Sequence, residues 1–163
     1  IPPDQRFYAG GPNDVRGFDR NELGPIVYVT TASNVDGAGE VLFPDSVQVA
    51  PIGGNTTVIG NLELRLPSPL LAGRLRWAAF VDMGTVWERS ARNPVALQVT
   101  PGVGIRFGTP LGPMRLDVAY RQSDLPRGSL YTAVDDELQL IRTDYRKPRG
   151  RPFNIQFSVG QAF

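Results

Sequence analysis

Phe153-Asn154-Ile155-Gln156-Phe157-Ser158-Val159-Gly160-Gln161-Ala162-Phe163 alternates apolar with polar or small side chains and stops on an aromatic. Successive side chains of a strand point to opposite faces. Phe153, Ile155, Phe157, Val159 and Phe163 therefore share one face, and Asn154, Gln156, Ser158, Gly160 and Ala162 the other, with Gln161 breaking the apolar stripe. About 9 to 11 residues is the length at which a tilted strand crosses a bilayer, its apolar side in hydrocarbon and its polar side toward a lumen. The segment reads as the closing strand of a transmembrane β-barrel.

Working outward, four earlier stretches share this pattern. Thr57 to Leu66 sets Val58, Leu62, Leu64 and Leu66 against Asn61, Glu63 and Arg65, with Ile59 the misfit. Arg76 to Trp87 sets Trp77, Ala79, Val81 and Met83 against Ala78, Phe80, Asp82 and Gly84. Val99 to Thr109 sets Val103, Ile105 and Phe107 against Gly102, Gly104, Arg106 and Gly108; Pro101 lacks an amide hydrogen and is expected at the strand's start or at a bulge. Pro113 to Arg121 sets Met114, Leu116, Val118 and Tyr120 against a strongly charged face of Arg115, Asp117, Ala119 and Arg121.

The connections alternate short and long. Pro67 to Leu75 and Gly108 to Pro113 are tight, whereas Glu88 to Gln98 and Ser123 to Pro152 are longer. Outer-membrane barrels have short periplasmic turns and longer outer loops, so the short connections are expected on the periplasmic side. The long stretch from Ser123 is rich in charge and reads as a solvated loop, with a short amphipathic helix through Leu130, Val134, Leu138 and Ile141 as an option. Trp77, Trp87, Tyr120 and Phe163 fall near strand ends, where amphipathic rings favour lipid headgroups. A half-buried antiparallel sheet of a soluble protein would show the same alternation, with these aromatics as packing anchors.

Composition narrows the function. No run of about 18 apolar residues exists to make a membrane helix, and glycine (18) and proline (15) suit many short strands joined by turns. The 17 basic and 16 acidic residues nearly balance, which gives no net field to recruit nucleic acid. Cysteine and histidine are absent, which excludes disulfides, thiolate chemistry and the usual neutral-pH general base. The serines have no histidine to activate them. Asp135-Asp136-Glu137 lacks the spacing of a calcium loop, and Gly102-x-Gly104 opens a strand rather than a helix, so no nucleotide fingerprint is present. The expectation is a protein that is not an enzyme and carries no cofactor and no metal.

Five strands cannot close a barrel, for which about eight is the small limit. Nor do the first residues, Ile1 to Arg6, carry a signal segment. A partial chain, preceded by further strands, is expected.

An ordered set of motifs runs along nearly the whole chain: Arg6-Phe-Tyr-Ala-Gly-Gly11, Val15-Arg-Gly-Phe18, Gly53-Gly-Asn55, Phe80-Val-Asp-Met-Gly-Thr-Val-Trp87, Thr109-Pro-Leu-Gly-Pro113 and the terminal aromatic. The set resembles the C-terminal part of the outer-membrane assembly barrels of the BamA and TamA type (the bacterial surface antigen family), the BamA type more closely. The resemblance implies an all-β, antiparallel barrel of sixteen strands in the bacterial outer membrane, of which residues 57–163 are the last five. Residues 1–56 would be the end of a strand and a long extracellular loop that folds into the lumen. It further implies preceding POTRA domains, accessory lipoproteins, outer-membrane lipid around the barrel, and nascent β-barrel proteins as substrates.

By the same resemblance, Arg16 of the loop is held inside by acidic groups of the wall, with Asp82 and Glu63 as partners. Gly17, Phe18, Phe80 and Gly84 belong to the same motifs. The alternation independently places Glu63 and Asp82 on the inner face of neighbouring strands, where a guanidinium can be clamped bidentately. The alternative is three unrelated, hydrated lumen charges. Gly10, Gly11 and Gly17 read as positions of positive φ or close backbone approach, and Phe18 as a plug against the wall.

Function follows as an expectation from the family. The last strand, through Phe153, Phe157, Gly160 and Phe163, would form a weak seam at which incoming strands add by β-augmentation, with Gly160 loosening its packing. A polypeptide translocator of the same superfamily and a passive porin-like barrel are the alternatives.

Overall fold

The computed structural model describes residues 2–69, 73–89, 96–110, 112–134, 137–148 and 150–160. Its strands, in chain order, are β1 (Ile26–Thr31), β2 (Gln48–Pro51), β3 (Thr56–Pro67), β4 (Leu75–Trp87), β5 (Gln98–Thr109), β6 (Gly112–Tyr120), β7 (Gly128–Val134), β8 (Glu137–Tyr145) and β9 (Phe153–Val159). Single 3-10 turns occupy Pro3–Gln5, Ala32–Asn34 and Pro44–Ser46. The strands form two sheets, ordered β3-β4-β5-β6-β9 and β2-β1-β7-β8.

The five-stranded sheet is antiparallel throughout, and its members are the five stretches with period-two alternation. Its register makes the two faces continuous. Leu66, Trp77, Ile105, Leu116 and Phe157 align in one row across all five strands, and Arg65, Ala78, Gly104, Asp117 and Gln156 align in the row behind. The first row and its neighbours point outward: Leu62 is 72% exposed and Ile155 67%, and Leu64, Val103 and Phe157 are also mostly exposed. A contiguous apolar face of this extent is what a strand sheet presents to hydrocarbon. Trp77 lies toward the short-turn end of that face, while Trp87 and the stacked pair Tyr120 and Phe153, ring centroids 5.5 Å apart, lie at the opposite end.

Two details differ from the alternation reading. Pro101 is neither a strand start nor a bulge: it lies inside β5 opposite Val81, but pairing with β6 begins only at Gly102, so its missing donor falls where β5 has a partner on one side. The closing strand is shorter than the motif, because β9 ends at Val159. Gly160 lies beyond it at φ 111°, its amide donating to the Pro113 carbonyl at 3.0 Å. Gly160 thus adds one hydrogen bond to β6 past the end of β9. Phe163 and Gln161 lie outside the described residues.

The long connections carry strands of their own. Residues 1–56, expected as the end of a strand and a long infolded loop, contribute β1 and β2, and the stretch after Ser123 contributes β7 and β8. The helix option fails: Leu130 is fully buried and Leu138 is largely exposed, so the helically spaced residues do not share a face. The period that holds in β7 is two, with Leu130 and Thr132 buried on one side. Asp135 and Asp136 lie outside the described residues. β1 pairs with β2 antiparallel but with β7 in parallel, Thr30 opposite Thr132, whereas the barrel strands are antiparallel throughout, as expected.

A buried apolar cluster, including Val15, Phe18, Leu23, Ile26, Tyr28, Val86 and Leu130, joins the small sheet to the inner wall. Tyr28 meets Tyr145 edge-on at 5.0 Å and donates its hydroxyl to the Pro126 carbonyl at 2.8 Å. The core of this chain is thus built largely by the infolded segment, while the barrel strands turn most of their large apolar side chains outward, Phe80 and Val86 excepted.

Candidate functional site

The segment from Ala9 to Leu23 is a narrow tongue lying on the inner face of the large sheet. Leu23 donates to the Ala9 carbonyl at 3.0 Å, Gly11 to the Phe18 carbonyl at 3.0 Å, and Phe18 to the Val15 carbonyl at 3.1 Å. The turn needs Gly10 and Gly11, at φ 107° and 108°, a region that side chains other than glycine rarely adopt. Gly17 is glycine for a different reason: a Cβ there would stand 2.8 Å from the Thr100 Cβ. Gly84 likewise admits Val15, whose Cγ2 lies 2.7 Å from where a Cβ would be.

This tight tip delivers Arg16. Its Nε donates to Asp82 Oδ2 at 2.7 Å and its Nη2 to Asp82 Oδ1 at 2.7 Å, and the Arg16 backbone amide adds a third bond to Asp82 Oδ2 at 3.1 Å. Nη1 donates to Glu63 Oε2 at 2.7 Å and approaches Asp117 Oδ2 at 3.4 Å. Below the guanidinium lies the Phe80 ring, with its centroid 3.4 Å from Cζ. The Arg16 side chain is 4% exposed, and those of Asp82 and Asp117 are fully buried. Burial by itself would lower the Arg16 pKa, but the hydrogen bonds to Asp82 and Glu63 outweigh it and push the pKa up. Arg16 is thus fixed as a cation.

The clamp extends further than Arg16, Glu63 and Asp82. Arg106 of β5 donates to Glu63 at 2.8 Å and to Asp117 at 2.5 Å, so it bridges β3 to β6. Arg65 donates to the other Glu63 oxygen at 2.6 Å. Asn61 ties Asp82 to the tongue, donating to Asp82 Oδ1 at 2.9 Å and to the Asp14 carbonyl at 2.5 Å. Arg115 of β6 donates to the Pro12 carbonyl at 2.5 Å and to Asn13 at 3.0 Å. Each of the three carboxylates is thus held by at least one arginine.

Expected residues divide into two places. Arg16, Gly17, Phe18, Glu63, Phe80, Asp82 and Gly84 converge, so the reading of three unrelated hydrated charges does not hold. Phe153 and Phe157 lie on the outer face of β9, away from the clamp. The other face of β9 does reach the tongue: Gln156 donates to the Phe18 carbonyl at 3.3 Å and Asn154 to Asp19 at 3.2 Å.

Asp117, Arg106 and Arg115 were recognisable as inner-face charges, but not as members of the clamp. A signal for it existed in Gly102 and Gly104. A Cβ at Gly102 would enter the Phe80 ring, and one at Gly104 would collide with the Asp117 carboxylate. Two bare positions on the inner face of β5 leave the space that the ring and the carboxylate occupy.

The Omp85 superfamily domain model matches residues 1–163. The outer membrane protein assembly factor BamA of Neisseria meningitidis serogroup B is 26% identical over 80% of this chain and 18% of its own length. The chloroplastic outer envelope protein 80 of Arabidopsis thaliana is 25% identical over 77% of this chain and 14% of its own length. This chain therefore spans less than a fifth of either relative. The crystal structure of BamA from Haemophilus ducreyi lacking POTRA domains 1-3 superposes with a TM-score of 0.55 at 21% identity, covering 95% of this chain and 27% of that one. The agreement with it is one of fold.

Proposed function

Because this chain belongs to the Omp85 superfamily, a family of outer-membrane β-barrels, we propose that it is the C-terminal wall of a barrel that folds and inserts other barrel proteins through a lateral seam. The observation that carries the reading is an asymmetry of anchoring. The tongue is locked by buried ion pairs to β3, β4 and β6, whereas among the described residues its hydrogen bonds to β9 come from the two amide side chains of Asn154 and Gln156.

That asymmetry supports a rigid wall beside a strand that can exchange partners. β9 pairs with β6 on one side, and among the described residues its other backbone edge has no partner. An unpaired backbone group in hydrocarbon costs several kcal/mol, so this edge must find a strand. The first strand of the complete barrel would serve at rest, and a nascent barrel strand would replace it during insertion. On this reading the remaining strands, the POTRA domains and accessory lipoproteins supply delivery, and no cofactor or covalent step is involved.

The test is reconstitution of the intact protein in lipid vesicles, followed by addition of an unfolded barrel substrate with folding read from gel mobility without heating. Accelerated folding supports the proposal. Transport of a polypeptide into the vesicle without accelerated insertion would establish a translocator instead, and large steady ion conductance a passive pore.

A further inference from the structure

The short-turn end of the inner wall carries charge of one sign. A cavity of about 280 Å³ opens there, lined by Arg65, Arg74, Arg76 and Arg106 together with residues of the two adjoining short turns. Neither residues 64–81 nor residues 105–116, which build this end, contain an aspartate or glutamate. The nearest carboxylates, Glu63 and Asp117, are already committed to Arg16 and Arg106. Arg74 and Arg76 form no ion pair among the described residues and are exposed. The excess cations are thus not needed to hold the wall together.

We infer that this mouth is a docking site for an acidic polypeptide segment entering the lumen. Arg76 and Arg106 are register partners on adjacent strands, and Arg65 lies on the third. Arg106 is spent on Glu63 and Asp117, so the accessible guanidiniums are those of the half-exposed Arg65 on β3 and of the exposed Arg76 and Arg74, spread over a width of one strand spacing, about 4.8 Å, across the wall and two residues along it. A single phosphate can engage only part of that spread. An extended acidic chain shows same-side carboxylates every ~6.8 Å, so two or more can be clamped at once by planar forks suited to carboxylates. The outer face at this level is apolar, with Leu66, Leu75, Phe107 and Met114, so a lipid headgroup beside the barrel does not reach the inward arginines without crossing the sheet. That this mouth faces the periplasm rests on the reading of short barrel turns as periplasmic, and the docking role itself on the proposed function.

Binding is measured on the intact protein in uncharged detergent, by fluorescence anisotropy of a labelled peptide of alternating glutamate and serine. Saturable binding that weakens with salt is expected, and Arg74→Glu with Arg76→Glu should reduce affinity by about tenfold or more. Arg20→Glu, on the tongue, should leave it unchanged, and a lysine–serine peptide should not bind. Retention of the folded gel mobility checks the variants, with Arg74→Gln and Arg76→Gln as milder replacements. Unaltered affinity in both pairs of variants would overturn the inference. So would displacement of the peptide by inorganic phosphate or anionic phospholipid at equal charge, which would make the site one for phosphate. Because the assay contains no membrane substrate, it can fail while vesicle insertion succeeds, or the reverse.

Discussion

Arg16 and Asp82, 66 residues apart, are joined by two guanidinium hydrogen bonds and one from the Arg16 backbone amide, all three within 3.1 Å. The backbone bond fixes the position of the tongue as well as the charge of its side chain. Removing Arg16 leaves the buried Asp82 without a cation among the described residues, and removing Asp82 takes three hydrogen bonds from Arg16, each at a cost on the order of 3–5 kcal/mol. In urea unfolding followed by Trp fluorescence, Arg16→Ala and Asp82→Ala should each lower stability by that order, and the double variant by much less than their sum. Additive losses would show that the pair is not coupled.

Charge reversal tests the amide. Arg16→Asp with Asp82→Arg restores an ion pair but leaves the residue-16 amide without an acceptor. The swap should therefore recover only part of the stability and of the insertion rate. Full recovery would mean that the backbone bond contributes nothing.

Gly17 presses on Thr100, so Gly17→Ala should destabilise by about 1–3 kcal/mol through overpacking. Thr100→Ala removes the Thr100 methyl and hydroxyl but keeps its Cβ, 2.8 Å from the introduced one. The combination should rescue Gly17→Ala in part, read from the same unfolding curves. No loss in the single variant would show that the tongue sits farther from β5.

Asn154→Ala with Gln156→Ala cuts the two bonds by which the tongue touches β9, each worth about 0.5–1.5 kcal/mol. Hydrogen exchange should accelerate in β9 and stay unchanged in β3 and β4. Uniform acceleration across the sheet would count against an independently mobile last strand.

Glu22 gives a pH signature outside the spanning strands. Burial pushes its carboxyl above the ordinary 4.5, although the Asp19 amide and Arg121 act in the opposite direction. The raised folded value means that its contribution is fully present below pH 4.5 and is lost as pH rises through that folded value. Glu22→Gln should flatten this part of the stability profile, and an unchanged slope would assign it to another group.

What could be read without coordinates followed from periodicity. Residues such as Leu62, Glu63 and Leu64 report their own facing, because each strand side chain alternates regardless of what lies beside it. All five barrel strands were therefore legible, as was the inward placement of Glu63, Asp82 and Asp117. The Arg16 pairing came from motif resemblance, to which the alternation added only that the two carboxylates face inward.

The sequence by itself settled a two-faced β-sheet with one apolar and one charged face, since local alternation in a two-residue period carries that information, while the membrane placement of the apolar face came from the motif resemblance. Only the tertiary structure decided that β1 lies parallel to β7 and that Asp117 and Arg106 complete the clamp. Each depends on register between segments distant in the chain, and hydrogen-bonded strand pairing leaves no periodic trace in either partner alone.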